Sequence, residues 1–290
     1  PHGARIKSLS DAFEILARRF SDDDEAQIFY AIYLTATQSP LEKTFASALK
    51  AAAILEVQFR KYPDHPGVAH YLIHSYDYPP IAGKGLDAAK RYSEIAPSAP
   101  HALHMPSHIF TRVGAWRDSA RMNERSAAVA KAGKEFGDQL HAMDYLAYAY
   151  LQLGRDADAH RILEEAQITR SASPAQGTPY ALAAIPARYA VERGAWKEAA
   201  GLEPQENRFR FTVAFSHFAR ALGAARSGDS AAAERDTREI ARIGEALKAA
   251  KDAYWSTEVE VQRLAAAAWV AHAKGDRDAA LGLMRASAEL

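Results

Sequence analysis

A short turn pattern recurs along the chain and limits the folds that it can adopt. Each copy has a glycine, a few residues, often with an aromatic, and then a small residue that opens an alanine-rich segment. Glycine adopts positive φ at little cost, so it suits a tight turn between two helices. The pattern therefore predicts an all-α chain built from repeated helix–turn–helix units. The five glycines, spaced 40, 40, 34 and 47 residues apart, are Gly114, Gly154, Gly194, Gly228 and Gly275.

The same organisation continues upstream of Gly114 with less regular turns. Alanine is abundant and runs of β-branched residues are scarce, which favours helices over strands. Helices are predicted over 29–37, 44–61, 65–76 and 86–95, and 12–20 looks like the second helix of a pair whose first helix is missing. We expect a right-handed α-α superhelix of about six to seven helix pairs. It would form a single domain over 1–290, divided into N-terminal repeats (1–63), histidine-rich repeats (64–131) and degenerate C-terminal repeats (132–290).

The repeat unit resembles the tetratricopeptide repeat (TPR). That repeat has about 34 residues, with a turn glycine, small residues and a terminal proline. Tyr62-Pro63 and Ala96-Pro97 match the terminal proline. The Trp, Leu, Gly and Tyr that the repeat carries in its first helix are mostly absent here. The resemblance implies a TPR-like solenoid.

Four histidines form two copies of one pattern. The first copy is His70-Tyr-Leu-Ile-His74 and the second is His104-Met-Pro-Ser-His108. Histidines four residues apart lie on the same face of a helix. Two neutral imidazoles in that position can share one metal ion at about 2.0–2.1 Å. The two pairs therefore predict a site for one divalent transition metal (Zn, Cu, Ni or Fe), with Asp77 as a further possible ligand.

The turn glycines also place the first helices in register with one another. His104 and Asp144 lie ten residues before their glycines, Tyr148 and Arg188 lie six before theirs, and His101 and His141 share a position thirteen residues before. In a solenoid the first helices line the concave surface. This register predicts a polar groove that recognises a peptide or a small ligand, such as a carboxylate. The predicted groove residues are His101, Asp144, Tyr148 and Arg188.

Three interpretations of the histidines stay open at this point. The first is a metal-free groove in a binding or scaffold protein, which we favour. The second is a transition-metal-binding protein, or a metal-dependent hydrolase or oxidase, and the third is a set of structural histidines that bond to nearby loops. Neither pair contains the glutamate of a His-Glu-x-x-His protease motif, so the general base is missing and enzymatic activity is left open.

Composition excludes several other classes. Charge is balanced, with 36 basic and 36 acidic residues and no long run of one sign, which argues against a nucleic-acid partner. Cysteine is absent, so thiol chemistry, disulfides and zinc ribbons are excluded. No stretch approaches the roughly 20 apolar residues that span a bilayer, so we expect a soluble chain.

Two segments carry a more specific resemblance, which covers about residues 20–130. They are His65-Pro-Gly-Val-Ala-His70-Tyr-Leu-Ile-His74-Ser-Tyr-Asp77 and His101-Ala-Leu-His104-Met-Pro-Ser-His108. Both are similar to a family of uncharacterised bacterial TPR proteins. The resemblance implies the fold and the motif residues and supplies no reaction. Members are usually longer at the N-terminus and many look exported, so it also implies a missing N-terminal segment and favours export to the periplasm.

Overall fold

The computed structural model describes residues 2–39, 41–169 and 177–290, and this part of the chain is helical without a strand. The all-α prediction is therefore confirmed. None of the described helices is long and apolar enough to cross a membrane. The helices are α1 (His2–Arg19), α2 (Asp24–Ala36), α3 (Ala46–Lys61), α4 (Pro66–Tyr76), α5 (Leu86–Ile95), α6 (Pro100–His104), α7 (Pro106–Arg112), α8 (Trp116–Gly133), α9 (Phe136–Gln152), α10 (Asp156–Ile168), α11 (Gly177–Glu192), α12 (Trp196–Ala200), α13 (Arg210–Arg226), α14 (Ser230–Ala249), α15 (Ala253–Ala273) and α16 (Arg277–Glu289), with a 3₁₀ turn at Ala82–Gly85.

The chain divides into two compact units, an N-terminal unit (Pro1–Tyr145) and a C-terminal unit (Leu146–Leu290). In the N-terminal unit α2 packs on α3 and α4, and α4 packs on α5 and α7. In the C-terminal unit α13 packs on α14 and α15, and α15 packs on α16. Within each unit these helices pack on neighbours in sequence, and the alternate pairs α2–α4 and α13–α15 also meet, as expected for stacked helix pairs. The prediction of one continuous solenoid over 1–290 stays a prediction.

The five turn glycines all have positive φ, between 65° and 87°. At Gly114 the glycine N–H bonds to the Thr111 carbonyl, and the next N–H, of Ala115, bonds to the Phe110 carbonyl. This pair of bonds is the Schellman motif, which satisfies carbonyls at the end of a helix. The same pair recurs at Gly154, Gly194, Gly228 and Gly275. The prediction that glycine takes each of these turns is confirmed.

Two further turns follow the same geometry without glycine. Lys134 ends α8 and Lys251 follows α14, with φ of 60° and 59°. The N–H of the residue after each lysine reaches back to a helix carbonyl, Glu135 to Ala130 and Asp252 to Leu247. A search for glycines could not find these turns, because lysine carries no signal for positive φ.

Proline sets the start of the helices that hold the histidine pairs. Pro66 is at the first position of α4 and Pro100 at the first position of α6, where the missing N–H has no helical partner to lose. Pro106 is at the first position of α7, and one residue separates α7 from the end of α6. Met105, between these two helices, keeps helical angles (φ −52°, ψ −40°). His104 and His108 therefore stay on one face across the break. Pro186, in contrast, lies inside α11.

Candidate metal centre

Six histidines of the N-terminal unit gather into two groups of three. The open triad is His70, His74 and His101, and the enclosed triad is His104, His108 and His141. Within each triad one ring nitrogen per histidine lies within 4.8 Å of the others. In both, a His-x-x-x-His pair is joined by one histidine from a helix further along the chain. The enclosed triad thus repeats the open triad one helix pair later.

The nitrogen separations suit shared coordination of a metal ion. The Nε2 atoms of His70 and His74 are 3.1 Å apart, and the Nε2 atoms of His70 and His101 are 3.3 Å apart. In the enclosed triad the Nε2 atoms of His104 and His108 are 3.0 Å apart. Two nitrogens bound at about 2.0–2.1 Å to one ion lie roughly 2.9–3.4 Å from each other, for coordination angles between a right angle and the tetrahedral value. Both His-x-x-x-His pairs are therefore at the spacing of two ligands on one ion.

The two triads differ in exposure. His74 and His101 of the open triad are exposed and His70 is half-buried. His104 is only 2% exposed, while His108 and His141 are half-buried. Tyr145 helps to cover the enclosed triad, because its ring meets His104 edge-on with centroids 4.8 Å apart. An ion in the open triad would meet solvent directly, and one in the enclosed triad would lie inside the protein.

Asn123 determines which nitrogen of His104 carries the proton. The Asn123 side-chain amide donates through Nδ2 to the Ser119 carbonyl at 2.9 Å, so its Oδ1 is left as an acceptor. His104 Nδ1 lies 2.6 Å from that oxygen and must donate to it. Nε2 of His104 therefore carries a lone pair, and it points toward the other histidines of the enclosed triad.

Asp77 plays the same part for His108. Its Oδ2 accepts from His108 Nδ1 at 2.8 Å, and its Oδ1 accepts from Arg112 Nε at 3.0 Å. Burial opposes ionisation of this carboxyl, but the bonds from His108 and Arg112 outweigh burial and hold the pKa of Asp77 below its usual value. With its Nδ1 donating to a carboxylate, the His108 ring turns its Nε2 toward His104. The two Nε2 atoms face each other at 3.0 Å, a separation that suits a cation between them, either a shared proton or a metal ion.

Desolvation of the closely packed rings also keeps most of these histidines neutral at neutral pH, even at His74 and His101, whose side chains remain partly open to solvent. It is the largest cause in every case, and the charge of neighbouring histidines adds to it. The pKa of His70 falls to about 3, that of His74 to about 4 and that of His141 to about 4. The pKa of His104 lies well below its ordinary value, and that of His101 is also lowered. Neutral imidazole is the form that binds metal ions.

The open triad is oriented by ring stacking. The Tyr92 ring lies nearly parallel to His70, with centroids 5.5 Å apart and planes 10° apart. His101 meets the other side of the group edge-on, 5.1 Å from His70. Stacking restrains the plane of a ring but does not select its protonated nitrogen. The enclosed triad is thus the more strongly preorganised of the two.

The other residues predicted for the site take different places. His65 caps α4, because its Nδ1 accepts from the Val68 N–H at 3.2 Å and its Nε2 contacts Glu25. Asp77 orients His108 from the far side of the ring and is not grouped with the nitrogens of either triad. Asp144, predicted to line a groove, is 2% exposed, and His101 joins the open triad. Tyr148 and Arg188 lie together in the C-terminal unit, with the guanidinium carbon 5.4 Å from the ring centroid.

The metal site predicted from the sequence does not include three residues that the structure places around the enclosed triad. His141 had a signal, since it shares with His101 the position thirteen residues before a turn glycine. Tyr145 lies one helical turn after His141, and its ring packs on the rings of His104, His108 and His141. Asn123 had no signal, because its role depends on how closely α8 approaches α6.

The C-terminal unit contains a separate pocket of about 210 Å³. Its walls are mostly apolar and include Phe215 and Phe218 from α13. Arg188 and Glu192 of α11 supply the charged groups. Its composition is that of a small-ligand pocket, with apolar walls and a few polar groups.

No protein-family model matches the chain, and no match was found among curated proteins. The resemblance to bacterial TPR proteins therefore stays a prediction.

Proposed function

We propose that this protein binds divalent transition-metal ions at its two histidine triads, one ion in each. The observation that carries the proposal is the close approach of two ring nitrogens, Nε2 of His104 and Nε2 of His108, which face each other at 3.0 Å. Each ring is held in that orientation by a hydrogen bond that its Nδ1 donates, to Asn123 Oδ1 and to Asp77 Oδ2 respectively. Such outer-shell partners are typical of metal-binding histidines.

The ligand set favours certain metals. Three neutral imidazoles suit zinc, copper, nickel or iron, and they leave the positive charge of the ion uncompensated. Zinc with three protein ligands keeps a fourth position for water. Copper binds nitrogen ligands more tightly than the other divalent ions of its series. Zinc and copper are therefore the ions to test first.

We propose binding and not a reaction. A zinc-bound water in the fourth position would ionise near pH 7 and could attack a substrate. A hydrolase also benefits from a general base beside that water. Asp77 already uses one oxygen on His108 and the other on Arg112, so it serves to orient a ligand.

Metal analysis tests the proposal directly. Untagged protein is loaded with zinc, exchanged into metal-free buffer, and measured by elemental analysis and calorimetric titration. We expect about two bound ions per chain, falling to about one in His141→Ala. His160→Ala is the matched control, because His160 is a partly exposed histidine outside both triads and should leave binding unchanged. Protein that stays metal-free and whose melting temperature is unchanged by zinc, copper and nickel would contradict the proposal.

The fold proposal is that these helix pairs are TPR-like repeats arranged as a right-handed solenoid. The recurring Schellman turns and the contacts between alternate helices support it. Such repeats commonly present ligand-binding surfaces.

A second candidate function rests on the pocket of the C-terminal unit. Arg188, one of the predicted groove residues, lines this pocket, and its guanidinium also lies over the ring of Tyr148, another of them. We propose that it takes a small ligand or peptide side chain with an apolar group and a carboxylate. The anionic aromatic probe anilinonaphthalene sulfonate should bind with one-to-one stoichiometry, and Arg188→Leu should weaken it. Equal binding to both proteins would argue against this candidate.

A further inference from the structure

The two triads lie next to each other and differ in their access to solvent. The rings of His74 and His108, one from each triad, have centroids 6.5 Å apart. His74 and His101 are exposed, whereas His104 is almost fully buried. An ion bound by His74 in the open triad would therefore lie close to His108 of the enclosed triad.

His108 holds a central position among the six histidines. Its ring packs against His104, at 4.9 Å between centroids, and lies 6.4 Å from His141. The side chain interacts electrostatically with His70, His74 and His101 of the open triad as well. No other histidine of the enclosed triad comes as close to the open triad in the described contacts.

A buried site needs a route for its ion. A divalent ion in water is surrounded by tightly held water molecules, and a metal site requires an entry path. Histidines that are themselves exposed can replace those waters one at a time, and a neighbouring ligand can then take over the ion. The open triad offers exposed ligands, and the preorganised enclosed triad lies next to it, so both requirements for such a transfer are met.

We propose that the open triad is the entry site that loads the enclosed triad, with His108 as the ligand that receives the ion. This inference rests on the proposed metal-binding function. An ion first binds His70, His74 and His101 and loses water. His108 Nε2 then replaces one of these nitrogens, and His104 and His141 complete the transfer. Only metal–nitrogen and metal–water bonds change, and the ion keeps its charge throughout.

Cobalt(II) uptake by the metal-free protein tests the transfer. Its visible absorption reports coordination by nitrogen, and stopped-flow mixing should show a fast phase followed by a slow one. The phase that His141→Ala removes reports the enclosed triad. In His74→Ala that phase should slow by about tenfold, a barrier increase of about 1.4 kcal/mol. The equilibrium affinity of the enclosed triad should stay within about threefold of wild type, a change of under 1 kcal/mol.

A second variant and a control keep the test decisive. His101→Ala changes an exposed side chain and should slow the same phase, whereas His160→Ala should not. Loading of the enclosed triad at an unchanged rate in both open-triad variants would overturn the proposal. A large parallel loss of equilibrium affinity at both triads would also overturn it, because the six histidines would then form one site. A wild-type chain that binds no metal would instead refute the proposed function.

Discussion

At the residue scale, the orientation of the rings in the enclosed triad depends on two side chains that lie on the Nδ1 side of His104 and His108. Asn123 and Asp77 each accept a hydrogen bond from the Nδ1 of a histidine and so select the tautomer that turns Nε2 inward. Without such acceptors an imidazole can exchange tautomers, and part of its population points a proton at the ion. Outer-shell acceptors typically raise metal affinity by about tenfold to a hundredfold.

Replacement of Asp77 tests this role. Asp77→Ala removes the acceptor for His108, and we expect the zinc affinity of the enclosed triad to fall about tenfold to a hundredfold. Asp77→Asn keeps an oxygen that can accept the same bond, so it should retain most of the affinity. Competition titration with a zinc chelator measures both. A loss in Asp77→Asn as large as that in Asp77→Ala would show that the negative charge matters more than the orientation.

The triad histidines with lowered pKa values also predict how the stability of the metal-free protein depends on pH. Their folded-state pKa values, about 3 for His70 and about 4 for His74 and His141, lie below the ordinary 6.5. The unfolded chain therefore gains protons below pH 6.5 that the folded chain does not accept until about pH 4. Folding stability should be full above pH 6.5 and should decline toward pH 4.

Thermal unfolding of the metal-free protein at pH 7.5, 6.0 and 5.0 measures this decline. In His141→Gln one titrating group is removed, so the fall in melting temperature over the same range should be smaller than in wild type. Equal falls in the two proteins would mean that His141 is solvated in the folded state.

At the element scale, the turns determine where helices end. Five glycines and two lysines adopt positive φ at the same point of a Schellman motif. Aspartates begin several of the helices that follow, and Asp229, Asp252 and Asp276 each accept from an N–H of the first turn. A negative side chain at this position also interacts favourably with the helix dipole.

The lysine turns predict two stabilising substitutions. A left-handed backbone conformation costs a residue with a Cβ about 1–2 kcal/mol. Glycine avoids this cost but loses more conformational entropy on folding. Lys134→Gly and Lys251→Gly should therefore each raise the free energy of unfolding by up to about 1 kcal/mol. Gly154→Ala is the matched opposite change. A Cβ there would meet nothing within 4 Å, so its cost of about 1 kcal/mol is conformational alone. Urea unfolding measures all three, and no gain in either lysine variant would contradict the turn assignment.

At the scale of the whole molecule, the two units carry different chemistry. All six histidines of the triads belong to the N-terminal unit, and the apolar pocket belongs to the C-terminal unit. The C-terminal unit has its own core around Phe211, Ile240 and Val259, with Trp255 stacked on Phe211 at 3.7 Å between centroids. The C-terminal unit therefore has a packed core of its own that includes none of the triad histidines.

Hydrogen exchange should reveal this division. Zinc binding should slow exchange in α4, α6, α7 and α8, because a ligand that binds only the folded state suppresses local opening around its site. Helices α13–α16 should keep their exchange rates. Mass spectrometry of peptides, with and without zinc, measures the pattern. Equal protection in α13–α16 would show that the metal acts on the whole chain or binds elsewhere.

Prediction from sequence succeeded where local chemistry decides the structure. The helix 86–95 was predicted with the bounds that α5 has, and the predicted 44–61 and 65–76 differ from α3 and α4 by one or two residues at the start. The predicted helix at 29–37 begins five residues too late, because the Asp23 cap of α2 was not recognised. The two histidine pairs were identified as ligand pairs, and each has the nitrogen spacing that a metal requires.

The sequence by itself determined the helical class, the five glycine turns and the presence of two equivalent histidine pairs. These follow from backbone preferences and from the 3.6-residue period of a helix, which act within a few residues. Only the tertiary structure decided that His101 and His141 complete the triads and that Asn123 and Asp77 orient the rings. Those relations join residues up to about forty positions apart, and they arise from the packing of one helix on another, which no local pattern encodes.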